Sequence, residues 1–161
     1  MLKAGAELTE RTLSFPYPVV AVCTGHAIAM GAFLLLSADL RIGTRPDAKV
    51  QVNEVAIGLT LPHFAIELCR QRLSPAHLNV AAITAASYSQ KQAAVAGFLD
   101  EVVPSESAAE VLKDRIAHLR KLHMEAFAAT KMRLRESTLL ALRAAIARDI
   151  QGWSQQFQRQ A

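Results

Sequence analysis

The stretch PVVAVCTGHAIAMGAFLLLSA, Pro18–Ala38, sets seven residues bracketed by glycines, GHAIAMG (Gly25–Gly31), between two strongly apolar runs. VVAVC is short, β-branched and bounded by turn residues, the pattern of a buried strand. From Met30 to Ala38 the chain is apolar on every face, which predicts a helix buried on nearly all sides. A strand, a small-residue turn and a buried helix leave the first N–H groups of that helix without intrahelical partners. With the helix dipole behind them, such groups can hold an anion or a developing oxyanion. The same residues also suit a tight strand-to-helix crossover in which glycine serves packing alone. Spacing by itself leaves both readings open.

Working outward, Ala4–Leu13 carries helical periodicity and ends before FPYP, where two prolines force extended backbone. DLRIGT (39–44) and AKVQVNE (48–54) read as two further strands, the second alternating apolar and polar residues. Pro62 allows a helix over His63–Leu73, and Ser74-Pro75 opens the next with proline at the favoured first position. Ser89 and Gln92 have capping-box spacing ahead of a short alanine-rich helix that stops at Gly97. FLDEVV (98–103) reads as a strand closed by Pro104, and Ser107 with Glu110 repeats the capping pattern. Finally Leu139, Leu142, Ile146, Ile150, Trp153 and Phe157 form one apolar stripe that requires a partner surface, in this subunit or a neighbour.

A chain of 161 residues, 52% hydrophobic and 20% charged, fits one globular domain with a sizeable core. The net charge of +4 permits an anionic ligand but falls short of a nucleic-acid signature. Cys23 and Cys69 lack metal-ligand spacing and read as buried free thiols of a reducing compartment. The N-terminus has no apolar signal core, and the longest greasy region, 19–38, is too interrupted for a membrane span. A cytoplasmic location is the expectation. No Ser-His-Asp set, metal cluster or Walker-type loop is visible in the sequence.

Three segments in one order, PYPVVAVCTGHAIAMGAFLLLSADLRIGT, AKVQVNEVAIGLTLP and YSQKQAAVAGFLDEVVP, resemble the enoyl-CoA hydratase/isomerase (crotonase) family over roughly Pro16 to Lys131. The resemblance implies an α/β, crotonase-like (ClpP/crotonase) ββα spiral. Only its later turns are expected, over 1–104, with a C-terminal helical region over 105–161 for oligomerisation or for covering the acyl-CoA. It further implies an acyl-CoA substrate that carries its own coenzyme A, no separate cofactor or metal, and a homo-trimer or hexamer.

By the same resemblance, the N–H of Met30 is one of two that hold the thioester oxygen as it becomes an enolate. His26, Ala27, Ala29, Gly31, Phe33 and Lys131 are the expected substrate-binding positions. Asp39 matches a family aspartate with a structural role at a turn. Where the hydratases carry a first glutamate this chain has Phe33, whereas their second matches Glu54, preceded by Asn53 in place of proline. Adding water by the family's route uses both carboxylates, so a lone Glu54 points to isomerase-like proton transfer. Family members also carry strands ahead of the proline-led strand that supply the second N–H, and here one helix precedes it. The rival expectation is therefore an inactive, truncated remnant acting as a non-catalytic oligomerisation partner.

Overall fold

The computed structural model describes the backbone of residues 2–159 and the side chains of 2–153. After α1 (Leu2–Ser14), the prolines of FPYP turn the chain into β1 (Val20–Cys23). A short strand, β2 (Ala27–Ile28), lies inside the small-residue segment and runs directly into α2 (Met30–Ser37). Then come β3 (Leu40–Gly43), β4 (Lys49–Gln51), a 3-10 turn over Val55–Ile57, α3 (His63–Arg72) and α4 (Pro75–Thr84). β5 (Tyr88–Ser89), α5 (Gln90–Ala96), β6 (Glu101–Val102), α6 (Ala108–Leu119) and α7 (Met124–Arg159) complete the path.

Each strand contributes to one of two small sheets. In the first, parallel β1, β3 and β6 lie side by side, with Val20 opposite Leu40 and Ile42 opposite Glu101. In the second, β4 sits between β2, parallel to it, and β5, antiparallel. The helix predicted from Met30 buries Ala32, Phe33, Leu35 and Leu36, as a run apolar on every face requires.

Two local expectations need correction. The strand expected over 98–103 shrinks to Glu101–Val102 because α5 ends on Gly97, whose φ of 102° is open to glycine. The N–H groups of Gly97 and Phe98 both return to the Ala93 carbonyl, which commits Phe98 and Leu99 to the core instead of the ladder. Ser107 precedes α6 but makes no side-chain cap; its hydroxyl donates to the Pro104 carbonyl at 3.1 Å. At α5, by contrast, Ser89 and Gln92 form the full reciprocal box.

The C-terminal stripe finds its partner surface within the chain. Leu139, Leu142, Ala145 and Ile146 of α7 belong to one core cluster with Ala6 and Leu13 of α1 and Phe64 and Leu68 of α3. The half-buried Trp153 meets the Phe64 ring edge-on at 6.5 Å. Phe157 lies outside the described side chains. α7 also completes α3 in a way the sequence did not announce. Pro62 has no side chain to cap that helix, and Asp149 of α7 accepts the N–H groups of His63 (3.0 Å) and Phe64 (2.9 Å) instead. The stripe alone therefore gives no reason for a second subunit. Among the described residues no helix is long and apolar enough to cross a membrane.

Candidate functional site

Parallel pairing of β2 with β4 sets the site. Ala27 lies opposite Val50 and Ile28 opposite Gln51, and the Ala29 N–H extends the pairing to the Gln51 carbonyl at 3.0 Å. Two neighbouring strands thus end side by side, one entering α2 at Met30 and the other reaching Glu54 three residues past β4. Chain ends that leave parallel strands on the same side are where open α/β folds collect ligands.

Ala29 makes the entry into α2 abrupt. Its φ of 51° and ψ of −118° lie where residues with a side chain are strained, and its carbonyl already accepts from Ala32 and Phe33. The N–H groups of Met30 and Gly31 have no acceptor among the described residues, so the first turn of α2 offers two donors at the positive end of its dipole. The bracketing glycines are not what permits this. A Cβ on Gly25 would meet nothing within 4 Å, and one on Gly31 would touch Ala27 Cβ at an ordinary 3.7 Å. The demanding conformation falls on Ala29, so Ala29→Gly is expected to raise stability by about 1 kcal/mol in a denaturant titration. An unchanged midpoint would mean that Ala29 is not strained.

Glu54 leads the 3-10 turn, and its carbonyl accepts from Ile57 (3.1 Å) and Leu59 (2.9 Å). The side chain is 7% exposed, and burial pushes its carboxyl above the ordinary carboxylate range, partly opposed by its own backbone N–H. Its Oε2 is buried with no hydrogen-bond partner among the described residues, as is the Oδ1 of the adjacent Asn53. Two unsatisfied oxygens in succession cost stability, since buried polar atoms are ordinarily hydrogen-bonded. Burial, and then the charge of Glu54, push the Cys69 thiol up to about 12, so Cys69 is an inert neighbour of the carboxylate. Both cysteines are buried and free, as expected.

Beyond Glu54 the 3-10 turn forms one wall of a cavity of about 610 Å³, with Leu59, Ile66, Cys69, Leu78 and Ile83 among its lining. The lining is mostly apolar, with Thr60, Arg70 and Asn79 as its polar members, and carries no carboxylate.

Several expected site residues have other work. Phe33 is 2% exposed and packs edge-on against Phe64 with ring centroids 5.5 Å apart, so its ring fills the core. The Ala27 side chain is likewise buried. His26 is exposed, and its Nδ1 accepts the Lys49 N–H at 2.9 Å, tying the turn to β4. Lys131 is 5% exposed and bonded to Asp39 Oδ2 at 2.7 Å, with Arg135 on the other carboxylate oxygen at 2.9 Å. Asp39 also accepts the Val19 N–H, which fulfils its structural expectation. It follows the far end of α2, roughly 12 Å from the Met30 donor by helical rise. Lys131 is thus committed away from that donor.

Two positioning residues escaped the sequence. Gln90, fully buried at the start of α5, donates to the carbonyls of Cys23 (3.0 Å) and Gly25 (2.9 Å) and accepts from the Arg45 N–H. It therefore pins the segment leading into β2. Gly5 of α1 faces the Met30 side chain so closely that a Cβ there would lie 2.9 Å from its Sδ. The Met30 side chain thus packs on α1 while its N–H remains free. Neither QKQ nor KAGAE carries a sequence signal that separates these residues from ordinary helix surface.

This two-sheet framework, with a buried helix entered from a short parallel strand, has the crotonase fold. The enoyl-CoA hydratase/isomerase family model matches residues 2–161, and the chain belongs to that family. Among solved structures, a family protein from Pseudomonas syringae superposes with a TM-score of 0.91 at 43% identity, covering 93% of this chain and 65% of that one. Two structures from Mycobacterium tuberculosis are similar, one described as an enoyl-CoA isomerase (TM-score 0.87, 42% identity, 91% of this chain and 65% of that one) and one as a probable enoyl-CoA hydratase (0.88, 41%, 98% and 64%). The peroxisomal enoyl-CoA delta isomerase 1 of Arabidopsis thaliana is 30% identical over 65% of this chain and 43% of its own length. The chain thus spans about two thirds of these solved relatives and less than half of that curated one.

Proposed function

We propose that the chain binds an acyl-CoA thioester and moves a proton beside its carbonyl, with the Met30 N–H on the developing enolate oxygen and Glu54 as the one acid/base. The observation that carries this reading is the Glu54 carboxyl, buried, raised in pKa and unpartnered at Oε2. A desolvated carboxyl of that kind holds its proton more readily than an exposed glutamate and is suited to acid/base work. Its resting cost is explained if a substrate C–H or enolate completes it.

Isomerase-like transfer is favoured over hydration because the position of a second carboxylate is held by Phe33, sealed in the core. A buried phenyl ring can neither hold nor activate water. The apolar cavity beside Glu54 suits the hydrocarbon part of the acyl group. Ile83→Asp, which charges an exposed wall of that cavity, is expected to weaken acyl-CoA binding about tenfold or more by calorimetry while free CoA is unaffected. Absence of heat with any acyl-CoA would instead support the non-catalytic rival.

A further inference from the structure

At the end of α2 opposite the Met30 donor, the chain concentrates positive charge that it does not balance. Lys131 and Arg135 of α7 are both more than nine-tenths buried and share the single carboxylate of Asp39. Arg41 is buried in a two-pronged pair with Asp100. Arg72, at the last turn of α3, lies among them and makes no carboxylate pair among the described residues. One terminal nitrogen of Arg72 donates to the Ala38 carbonyl at 2.5 Å, while its buried Nε has no acceptor among the described residues. Four guanidinium and ammonium groups thus surround two carboxylates. Burial, and then Arg41 and Arg135, lower Arg72 to about 10. Burial also lowers Lys131 and Arg135. Uncompensated buried charge of this kind is costly, and an arriving anion would relieve it.

The place for that anion is open. A cavity of about 500 Å³ lies between the ends of α2 and α3 and the first turns of α7, with Arg72, Lys131 and Arg135 on its wall together with Asp39, whose two carboxylate oxygens are already taken by Lys131 and Arg135. The remaining wall is Leu122, Ala126, Phe127 and Leu134, the last 81% exposed at the rim, with His123 and Thr130 as its polar members. On α7, residues 126, 127, 130, 131 and 134 lie at helical spacing, with His123 just ahead of the helix, so one helix face presents both characters. A cationic floor beside an apolar shelf selects a ligand with a matching division. We infer that this cavity is a second binding site, separate from Met30 and Glu54, for a carboxylate with an apolar body. The carboxylate completes Arg72, and the hydrocarbon lies along Phe127 and Leu134. Charge-assisted bonds from a guanidinium fork to a carboxylate are the strong kind, which compensates for a short apolar contact.

The probe is octanoate, titrated into the 161-residue chain and followed by protein-observed NMR, with octanol as the uncharged match. Octanoate is expected to shift the amides of residues around 122–135 and to bind about tenfold or more tightly than octanol. Arg72→Met is expected to weaken it about tenfold or more, and so is Leu134→Glu, which alters only an exposed side chain and leaves the fold intact. Ile83→Asp, in the cavity beside Glu54, is expected to leave octanoate affinity within about twofold. That last comparison separates this site from the proposed acyl site, since loss of acyl-CoA binding there has no bearing on octanoate here. Equal binding of octanol, insensitivity to Arg72→Met and Leu134→Glu, or binding of inorganic phosphate but not octanoate would each overturn the proposal. So would octanoate having no effect while Leu134→Glu dissociates an oligomer, because the cavity would then be a contact between copies of the chain.

Discussion

Glu54→Gln is expected to lower deuterium exchange at the carbon next to an acyl-CoA thioester by about 10²- to 10⁴-fold, while leaving acyl-CoA affinity nearly unchanged. The amide keeps the shape of the side chain and removes only its ability to take a proton. The same substitution carries an independent stability signature. Burial raises the folded-state pKa of Glu54 above its unfolded value, so protons bind more tightly to the folded chain. Its contribution is fully favourable below the unfolded pKa and is lost as pH rises through the folded one. Wild-type stability is therefore expected to fall across that window, from the ordinary glutamate range upwards, relative to Glu54→Gln. At neutral pH the glutamine variant is expected to be the more stable protein. Matching urea midpoints for the two proteins at every pH would mean that Glu54 is not held in a desolvated state.

Asp39→Ala is the second large effect, and it concerns the fold. Asp39 holds the Val19 N–H just ahead of β1 and is, among the described residues, the one carboxylate paired with Lys131 and Arg135. Removing one partner of a buried ion pair typically costs about 3–5 kcal/mol, because the remaining charges stay desolvated and unopposed. A loss of that order is expected in chemical denaturation, with β1 and α7 affected together. Replacing Asp39 by leucine with Lys131 and Arg135 by methionine is expected to recover much of it, since buried ions exchange well for apolar groups of similar volume. A loss below about 1 kcal/mol for Asp39→Ala would place the pair in the class of surface salt bridges.

These two residues illustrate what the sequence could reveal. Strongly patterned elements were legible: the apolar run of α2, the helix after Pro62, the Ser74-Pro75 start and the capping box at Ser89 all form where their local chemistry places them. Family resemblance singled out Glu54 and Met30 as candidates, but composition could not say that the Glu54 Oε2 would be buried without a partner among the described residues. The short strands β2 and β5 were missed because two residues give no periodicity, yet β2 carries the register that sets Met30 near Glu54's strand. The interactions that hold the site in place join distant positions. Asp149 caps α3 across 86 residues and Gln90 reaches the Gly25 carbonyl across 65. Nor could the resemblance say that Phe33 would pack against Phe64 or that Lys131 would pair with Asp39.

The central claim, one carboxylate moving a proton without adding water, has a direct test. The wild-type chain is incubated in D₂O with a 3-enoyl-CoA and, separately, with a 2-enoyl-CoA, and the products are read by mass spectrometry. Migration of the double bond with deuterium incorporated into the acyl chain, and no 3-hydroxyacyl-CoA, is the predicted result. Formation of 3-hydroxyacyl-CoA at a rate matching or exceeding double-bond migration would contradict it.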